Sequence, residues 1–340
     1  LKPVVLQNQK ARLAILVEAG ARVVEYRLID GNNVILADPA SWADRDKIPK
    51  PSPHAGWYPL NGHIYWLGPQ DEWWKHQKVN PKRSGKWPPD PYLIYGQYEI
   101  LGQSPDFLRV RSPESPVSGI QMTKEFRLYP DGRVTIEVRA KNIRQEEVAW
   151  DIWSNTRVTP DGWAYVPIRT RRKGYVWIDD WRTDDPYSVM FPRYTFAGGF
   201  FSFISHSLVK GYKRQYGKIY FGEPRLGYIA AVIGKTMFIK RADPVPRSQQ
   251  APRQCFIEIY TQRRADGKDG LLELEMHSAY HKLKPGEEMK FREEWFLFPY
   301  TGENSRQAHI SEILKVERKL YPDVPPPLPP LNELPPAKTP

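Results

Sequence analysis

Proline constrains this chain more than any other residue. There are 34 prolines among 340 residues. A proline inside a helix removes a hydrogen bond and clashes with the preceding turn. Inside a sheet it is confined to edges and strand ends. The chain should therefore consist of many strands joined by turns and loops. With 40% hydrophobic and 26% charged residues it can still bury a core. Its length suits two average domains or one large β architecture.

The pattern along the chain favours the single β architecture. Residues 11–17 are largely apolar, Gly20 punctuates, and residues 23–28 follow before the turn Asp30-Gly31-Asn32-Asn33. Residues 133–140, RVTIEVRA, alternate strictly. Val134, Ile136, Val138 and Ala140 take one face, and Thr135, Glu137 and Arg139 the other. Further strands are expected at 146–158, 164–168, 198–206, 217–222, 226–232, 236–241, 254–262, 271–277 and 289–298. One helix is expected, from Arg306 to Leu320, with Ile310, Ile313, Leu314 and Leu320 at helical spacing and Pro322 as its stop. Residues 322–340 hold nine prolines in nineteen residues and should form an extended polyproline arm. The expected division is a β-sandwich domain over 1–300, a helix packed on it over 301–321 and the Pro-rich tail over 322–340. The fold class expected is all-β, a large antiparallel β-sandwich.

Residues 40–92 read as a long loop, and a loop of that length is usually functional or disordered. Its centre, HAGWYPLNGHIYWLGPQDEWW, holds four tryptophans, two tyrosines and two histidines in 21 residues, which argues against disorder. Tryptophan and tyrosine each join a broad apolar body to a polar tip, which suits the apolar face and hydroxyl edge of a sugar. Trp57, Tyr58, Tyr65, Trp66, Trp73 and Trp74 lie here, among His63, Gln70, Asp71 and Glu72. Trp66 and Trp74 are the candidates for stacking on a ligand, with Gln70 beside them. The plainer reading is that several of these rings fill space beneath the loop.

Two expected strands carry polar residues in alternation. Asp151, Trp153, Asn155 and Arg157 point one way, which makes a poor core and a good binding strip. Glu273 and Glu275 share a face, with His277 two residues on. Two carboxylates on one face can split into acid and base roles if their environments differ. Otherwise they are simply solvated. Glu258, in FIEIY, is a weaker candidate of the same kind.

The formal charge is +11, from 50 Lys and Arg against 39 Asp and Glu. That favours a polyanionic ligand. The basic segments 81–86, 169–174 and 209–218 could grip uronate carboxylates or sulfates through arginine. No zinc-finger, RRM or basic-helix spacing supports a nucleic-acid partner. No dinucleotide, P-loop or GxSxG motif calls for a cofactor or a serine nucleophile. Cys255 is the only cysteine, so no intramolecular disulfide can form. No metal is expected, and no apolar run reaches the ~20 residues of a membrane span. Since the chain opens at Leu1, a cleaved signal peptide is one explanation, and an exported protein, periplasmic or extracellular, is expected. The oligomeric state is left open.

Three segments, taken in order, resemble the galactose mutarotase-like (aldose 1-epimerase-like) superfamily. They are LVEAGARVVEYRLIDGNNVILADP, GIQMTKEFRLYPDGRVTIEVRAKNIRQEEVAWDIWSNTRV and GLLELEMHSAYHKLKPGEEMKFREEWFLF, and the resemblance spans residues 5 to 299. Within it the chain is most similar to the DUF4380 family, where a GGH-and-tryptophan segment resembles LNGHIYWLGPQ. The resemblance implies a β-sandwich that binds sugar on its concave sheet, with a glutamate as general base and a histidine as general acid. The glutamate matches Glu275. At the histidine's place stands Asp151, which would need a strongly raised pKa to donate a proton. His63 or His277 can substitute.

The expectation is thus a carbohydrate-recognising protein acting on a sugar or acidic oligosaccharide. Glu275 is the base, Asp151 or His63 the donor, and Trp66, Gln70, Trp74, Trp153, Asn155, Arg157, Glu273 and His277 the binding residues. The alternative is a non-catalytic glycan-binding or surface-assembly module.

Overall fold

In a computed structural model of the chain, which describes residues 1–169, 176–178, 188–190, 194–204, 213–264 and 270–324, the strands form two sheets of eleven and ten. Across its width the first runs Val4–Gln7, Ala11–Leu16, Arg22–Leu28, His63–Gly68, Val148–Val158, Leu271–His277, Ile257–Arg264, Arg214–Phe221 and Val176–Ile178. Its central strands pair antiparallel; among the described strands only Ser188–Met190, at the far edge, runs parallel to its neighbour Arg214–Phe221. The second sheet holds Trp163–Pro167, Tyr228–Ile233, Thr236–Arg241, Glu288–Pro299, Val134–Asn142 and Ile120–Leu128 at its centre. The architecture is the all-β antiparallel sandwich that the alternating pattern leads one to expect. Val134, Ile136, Val138 and Ala140 are all fully buried between the sheets.

The helix spans Arg306–Leu320, as the sequence predicts. Ser305 caps it, its hydroxyl accepting from the Ala308 amide at 3.3 Å. Ile310, Ile313 and Val316 bury against Tyr165, Phe200, Tyr228 and Met237. These belong to a smaller apolar cluster, separate from the one between the sheets. The helix thus covers the outer face of the second sheet.

One difference from the sequence reading matters. The long loop contains a strand, His63–Gly68, and the short helices Ala40–Ala43 and Pro91–Tyr95. All six residues of the strand are buried, so it shows no in–out alternation to read. The Pro-rich arm lies outside the described residues from 325 onward, as do residues 170–174 and 209–212 of the basic segments.

The interior is not purely apolar. From the second sheet, Lys240 donates to the hydroxyls of Ser154 (2.6 Å) and Thr156 (2.8 Å) and to the Leu274 carbonyl (3.1 Å), and it pairs with Glu293 at 3.2 Å. Glu293 accepts from the Tyr65 hydroxyl and the Trp295 indole. Both charges are fully buried. This cluster lies behind the strands that carry the site.

Candidate functional site

The outer face of the first sheet carries a cleft of about 660 Å³. Register builds its floor. Across the pair Val148–Val158 and Leu271–His277, Trp153 faces His277, Asn155 faces Glu275, and Arg157 faces Glu273. One strand further, Glu258 faces Glu275 and Tyr260 faces Glu273. Beyond that, Tyr220 faces Glu258 and Lys218 faces Tyr260. Directly opposed residues on one face bring their Cβ atoms within about 5 Å, so a patch of charged groups converges.

Each carboxylate is partnered. Glu275 Oε1 accepts from Asn155 Nδ2 at 2.8 Å and Trp153 Nε1 at 3.1 Å, while its Oε2 meets the Lys218 ammonium. Lys218 also pairs with Glu258 at 2.8 Å and lies 4.9 Å from the centre of the Trp153 ring. Glu258 accepts from the Cys255 amide at 2.8 Å and stands 3.6 Å from His277 Nε2. His277 Nδ1 lies 3.3 Å from Asp151. Arg157 donates from Nε to Glu273 at 2.8 Å and from Nη1 to Asn61 at 3.3 Å. Glu273 and Glu275 are only 5% and 1% exposed, so they do not form a solvated sheet face.

These surroundings split the titrations. Burial pushes Glu275 up to about 7; Lys218 opposes the rise, and Glu273 and Glu258 add to it. Burial would also raise Glu258, but Lys218 and then His277 pull it down to about 2. Burial would lower His277, yet Asp151 and Glu258 hold it at about 9, so the ring is protonated at neutral pH. Burial raises Asp151, and His277 offsets part of that rise. Lys218 is held well above the ordinary lysine value because its two carboxylates outweigh burial.

The walls come from the long loop and from Pro252–Gln254. Trp57, Trp66, Gln70, Asp71, Lys86 and Trp87 line one side, Arg214, Tyr220 and Tyr260 the other. Trp66 meets Trp153 edge to face at 5.0 Å, and Trp57 packs on Trp87 at 4.6 Å. The Trp66 indole N–H and the Gln254 side-chain oxygen are buried and have no protein partner. Gly68 leaves the space that Asp151 and Gln254 occupy, since a Cβ there would overlap both.

The structure brings Trp66, Gln70, Trp153, Arg157, Glu273 and Glu275 to the cleft, with Asn155 bonded to Glu275 beneath it. Asp151 and His277 form a buried pair behind Trp153, whose ring lies 5.0 Å from the His277 ring. His63 does not join them. Strand alternation turns it to the inner face, where Nδ1 meets the Thr156 hydroxyl at 2.9 Å and the ring packs on Trp295. Burial, then Lys240, holds it well below the ordinary histidine value, so it stays neutral. It cannot reach a ligand on the cleft side without crossing the sheet. Trp74 is also absent from the cleft. Its N–H is spent on the Pro88 carbonyl at 2.6 Å, and Arg83 covers its ring. Lys218 is the residue that sequence reasoning missed. It closes the basic segment 209–218 and also falls in the expected strand 217–222, where Tyr216, Lys218 and Tyr220 alternate as strand neighbours do. Glu258, the weaker candidate by sequence, shares Lys218 with Glu275, and its in–out alternation in FIEIY is the signal that points to it.

The model of the domain of unknown function DUF4380 matches residues 1–298. The chain belongs to this family. No curated protein matches it. Among solved structures, this DUF4380 member is similar to a galactose mutarotase-like protein from Lactobacillus casei, with 10% identity over 87% of this chain and 100% of that one and a TM-score of 0.55. A galactose mutarotase-like protein from Clostridium acetobutylicum matches with 10% identity over 87% and 95% of the two chains, at a TM-score of 0.53. The Slr1438 protein from Synechocystis matches with 12% identity over 87% and 96%, at 0.53. The DUF4380 chain therefore has the galactose mutarotase-like fold.

Proposed function

We propose that the cleft binds a sugar and exchanges its anomers, with Glu275 as general base. The observation that carries this reading is geometric: Glu258 and Glu275 stand opposite each other, buried, and share Lys218, while His277 stands only beside Glu258, an asymmetry that raises Glu275 and lowers Glu258. A base poised near the working pH is the efficient one. Tryptophans over the floor suit a sugar ring, and the free Trp66 N–H and Gln254 oxygen suit its hydroxyls.

In this reading Glu275 takes the proton of the anomeric hydroxyl, the bond from the anomeric carbon to the ring oxygen breaks, and the ring oxygen receives a proton. We assign the donor role to Lys218, the protonated group that lines the cleft and touches Glu275. Protonating Glu275 removes one of the two negative charges that hold the Lys218 proton. Loading the base therefore primes the acid. Closure on the other ring face returns both protons. Asp151, which replaces the expected histidine, acts through His277 rather than on the ligand.

The test is NMR exchange between anomeric signals across a panel of free sugars, with Glu275→Gln and Lys218→Met. Both variants should abolish exchange, and Glu275→Gln should keep binding. A second reading, a non-catalytic glycan-binding module, is favoured by the full partnering of Glu275, whose two oxygens already hold three donors. It gains if sugars bind and no panel member exchanges faster with protein than without.

A further inference from the structure

Charge along the cleft is uneven. On the floor, Lys218 and Arg157 face three carboxylates, Glu258, Glu273 and Glu275. At the rim the balance reverses. Lys86 and Arg253 share the single carboxylate Asp71, each at 2.6 Å. Arg214 meets no carboxylate among the described residues. Its guanidinium is instead held in place, over the Tyr216 ring at 5.1 Å and on the Gln262 side-chain oxygen at 2.7 Å. Among the described residues, three rim cations thus answer to one anion, and Arg214 is fixed with no carboxylate beside it. Arg157 repeats the theme on the floor. It is 6% exposed and donates to Glu273 and Asn61 from Nε and Nη1, while its Nη2 makes no hydrogen bond among the described residues.

The positive regions stand at opposite ends. Arg214 pairs with Arg264 in the sheet, six residues along the strand from Glu258, whereas Arg253 precedes that strand at its other end. At ~3.3 Å per residue, the six residues from Glu258 to the level of Arg214 alone cover roughly 20 Å, longer than one sugar ring.

We infer that the ligand is an acidic oligosaccharide, its rings on the Trp153–Glu275 floor and its anionic groups on Arg214 at one end and the Lys86–Asp71–Arg253 cluster at the other. This rests on the carbohydrate reading above and narrows it to a class and a length. A guanidinium fork matches a carboxylate or sulfate in two-point geometry.

The experiment is calorimetric titration of the full chain with hexamers of galacturonate, mannuronate and guluronate, their carboxyl-reduced counterparts, the matching monomers, a sulfated neutral hexamer and a single-stranded DNA oligomer. One acidic hexamer, uronate or sulfated, should bind at least tenfold tighter than its neutral counterpart and than its monomer, and should weaken with salt. Arg214→Gln should erase most of that preference, lowering the acidic hexamer's affinity severalfold more than the neutral hexamer's. Arg253→Gln gives an independent check at the other end. Binding of the uronate or of the sulfated form identifies the anion, and either supports the inference. Equal affinity for acidic and neutral forms, a preference untouched by Arg214→Gln, or tighter binding of DNA overturns it. If neutral hexamers bind and acidic ones gain nothing, this inference fails while the carbohydrate reading stands. If no saccharide binds, both fail.

Discussion

Glu258 and Glu275 stand opposite each other on neighbouring strands and share one ammonium, that of Lys218. Two buried carboxylates this close cannot both ionise freely, and one cation between them decides how the proton is divided. Because Glu258 also faces the charged His277, the proton settles on Glu275.

Removing the shared cation should therefore be costly in a pH-dependent way. Lys218→Met leaves two buried carboxylates unneutralised, a loss on the order of 3–5 kcal/mol at pH 7. At pH 5 both can take up protons and the loss should shrink. Urea unfolding of wild type and variant at the two pH values measures this; equal losses at both would sink the idea.

His277 gives a second pH signature. Its folded value of about 9 lies above the unfolded 6.5. Its contribution is fully present below pH 6.5 and is lost as pH rises through 9. The size is on the order of 3 kcal/mol. Stability followed from pH 6 to 10 should decline in the wild type and decline less in His277→Gln. Glu275 acts in a separate window. Raised from 4.5 to about 7, it favours the folded state below pH 4.5 and loses that contribution as pH climbs to 7.

Asn155→Asp would set a further carboxyl against Glu275 in place of the 2.8 Å amide donor. Like charge raises a carboxyl further, so the pH profile of anomer exchange should move up. Asn155→Ser, which adds no charge, should weaken exchange without that displacement. An unmoved profile in the aspartate variant would detach Glu275 from the rate.

The inner pair predicts a double-mutant cycle. Lys240→Met strands Glu293 between the sheets and should cost several kcal/mol, on the order of 3–5. Lys240→Met with Glu293→Gln removes both charges and keeps an acceptor for Tyr65 and Trp295, so the double variant should be more stable than the single one. Denaturant midpoints decide it.

Gly68→Ala should destabilise by about 1–3 kcal/mol, because its methyl would overlap the Asp151 carboxylate and the Gln254 amide. Pairing it with Gln254→Ala should restore part of the loss in a thermal melt.

Much of the architecture was legible because half-buried strands advertise themselves by alternation. Val134–Asn142 and the polar strip 151/153/155/157 could be read directly, and so could the opposed set 273/275/277. The helix was legible through its spacing and its stop. His63–Gly68 was not, because a strand buried on both faces has no period to detect. For the same reason the sequence does not say which face of the sheet His63 takes. Trp74 lay in the right segment but was consumed by a backbone carbonyl, which spacing cannot reveal. Lys218 was hidden by its neighbours. In a run of lysines and arginines, sequence does not say which one lands between two glutamates from a distant strand pair.

The strand Val148–Val158 has polar work on both sides, Trp153, Asn155 and Arg157 outward and Ser154 and Thr156 inward on Lys240. Most sandwich strands can drift on one face while the other keeps the fold. Here five adjacent positions are spoken for, so neutral variation should be scarce along this stretch. A change of ligand preference would more easily arise in the rim loops, leaving this strand as the fixed frame around which relatives diversify.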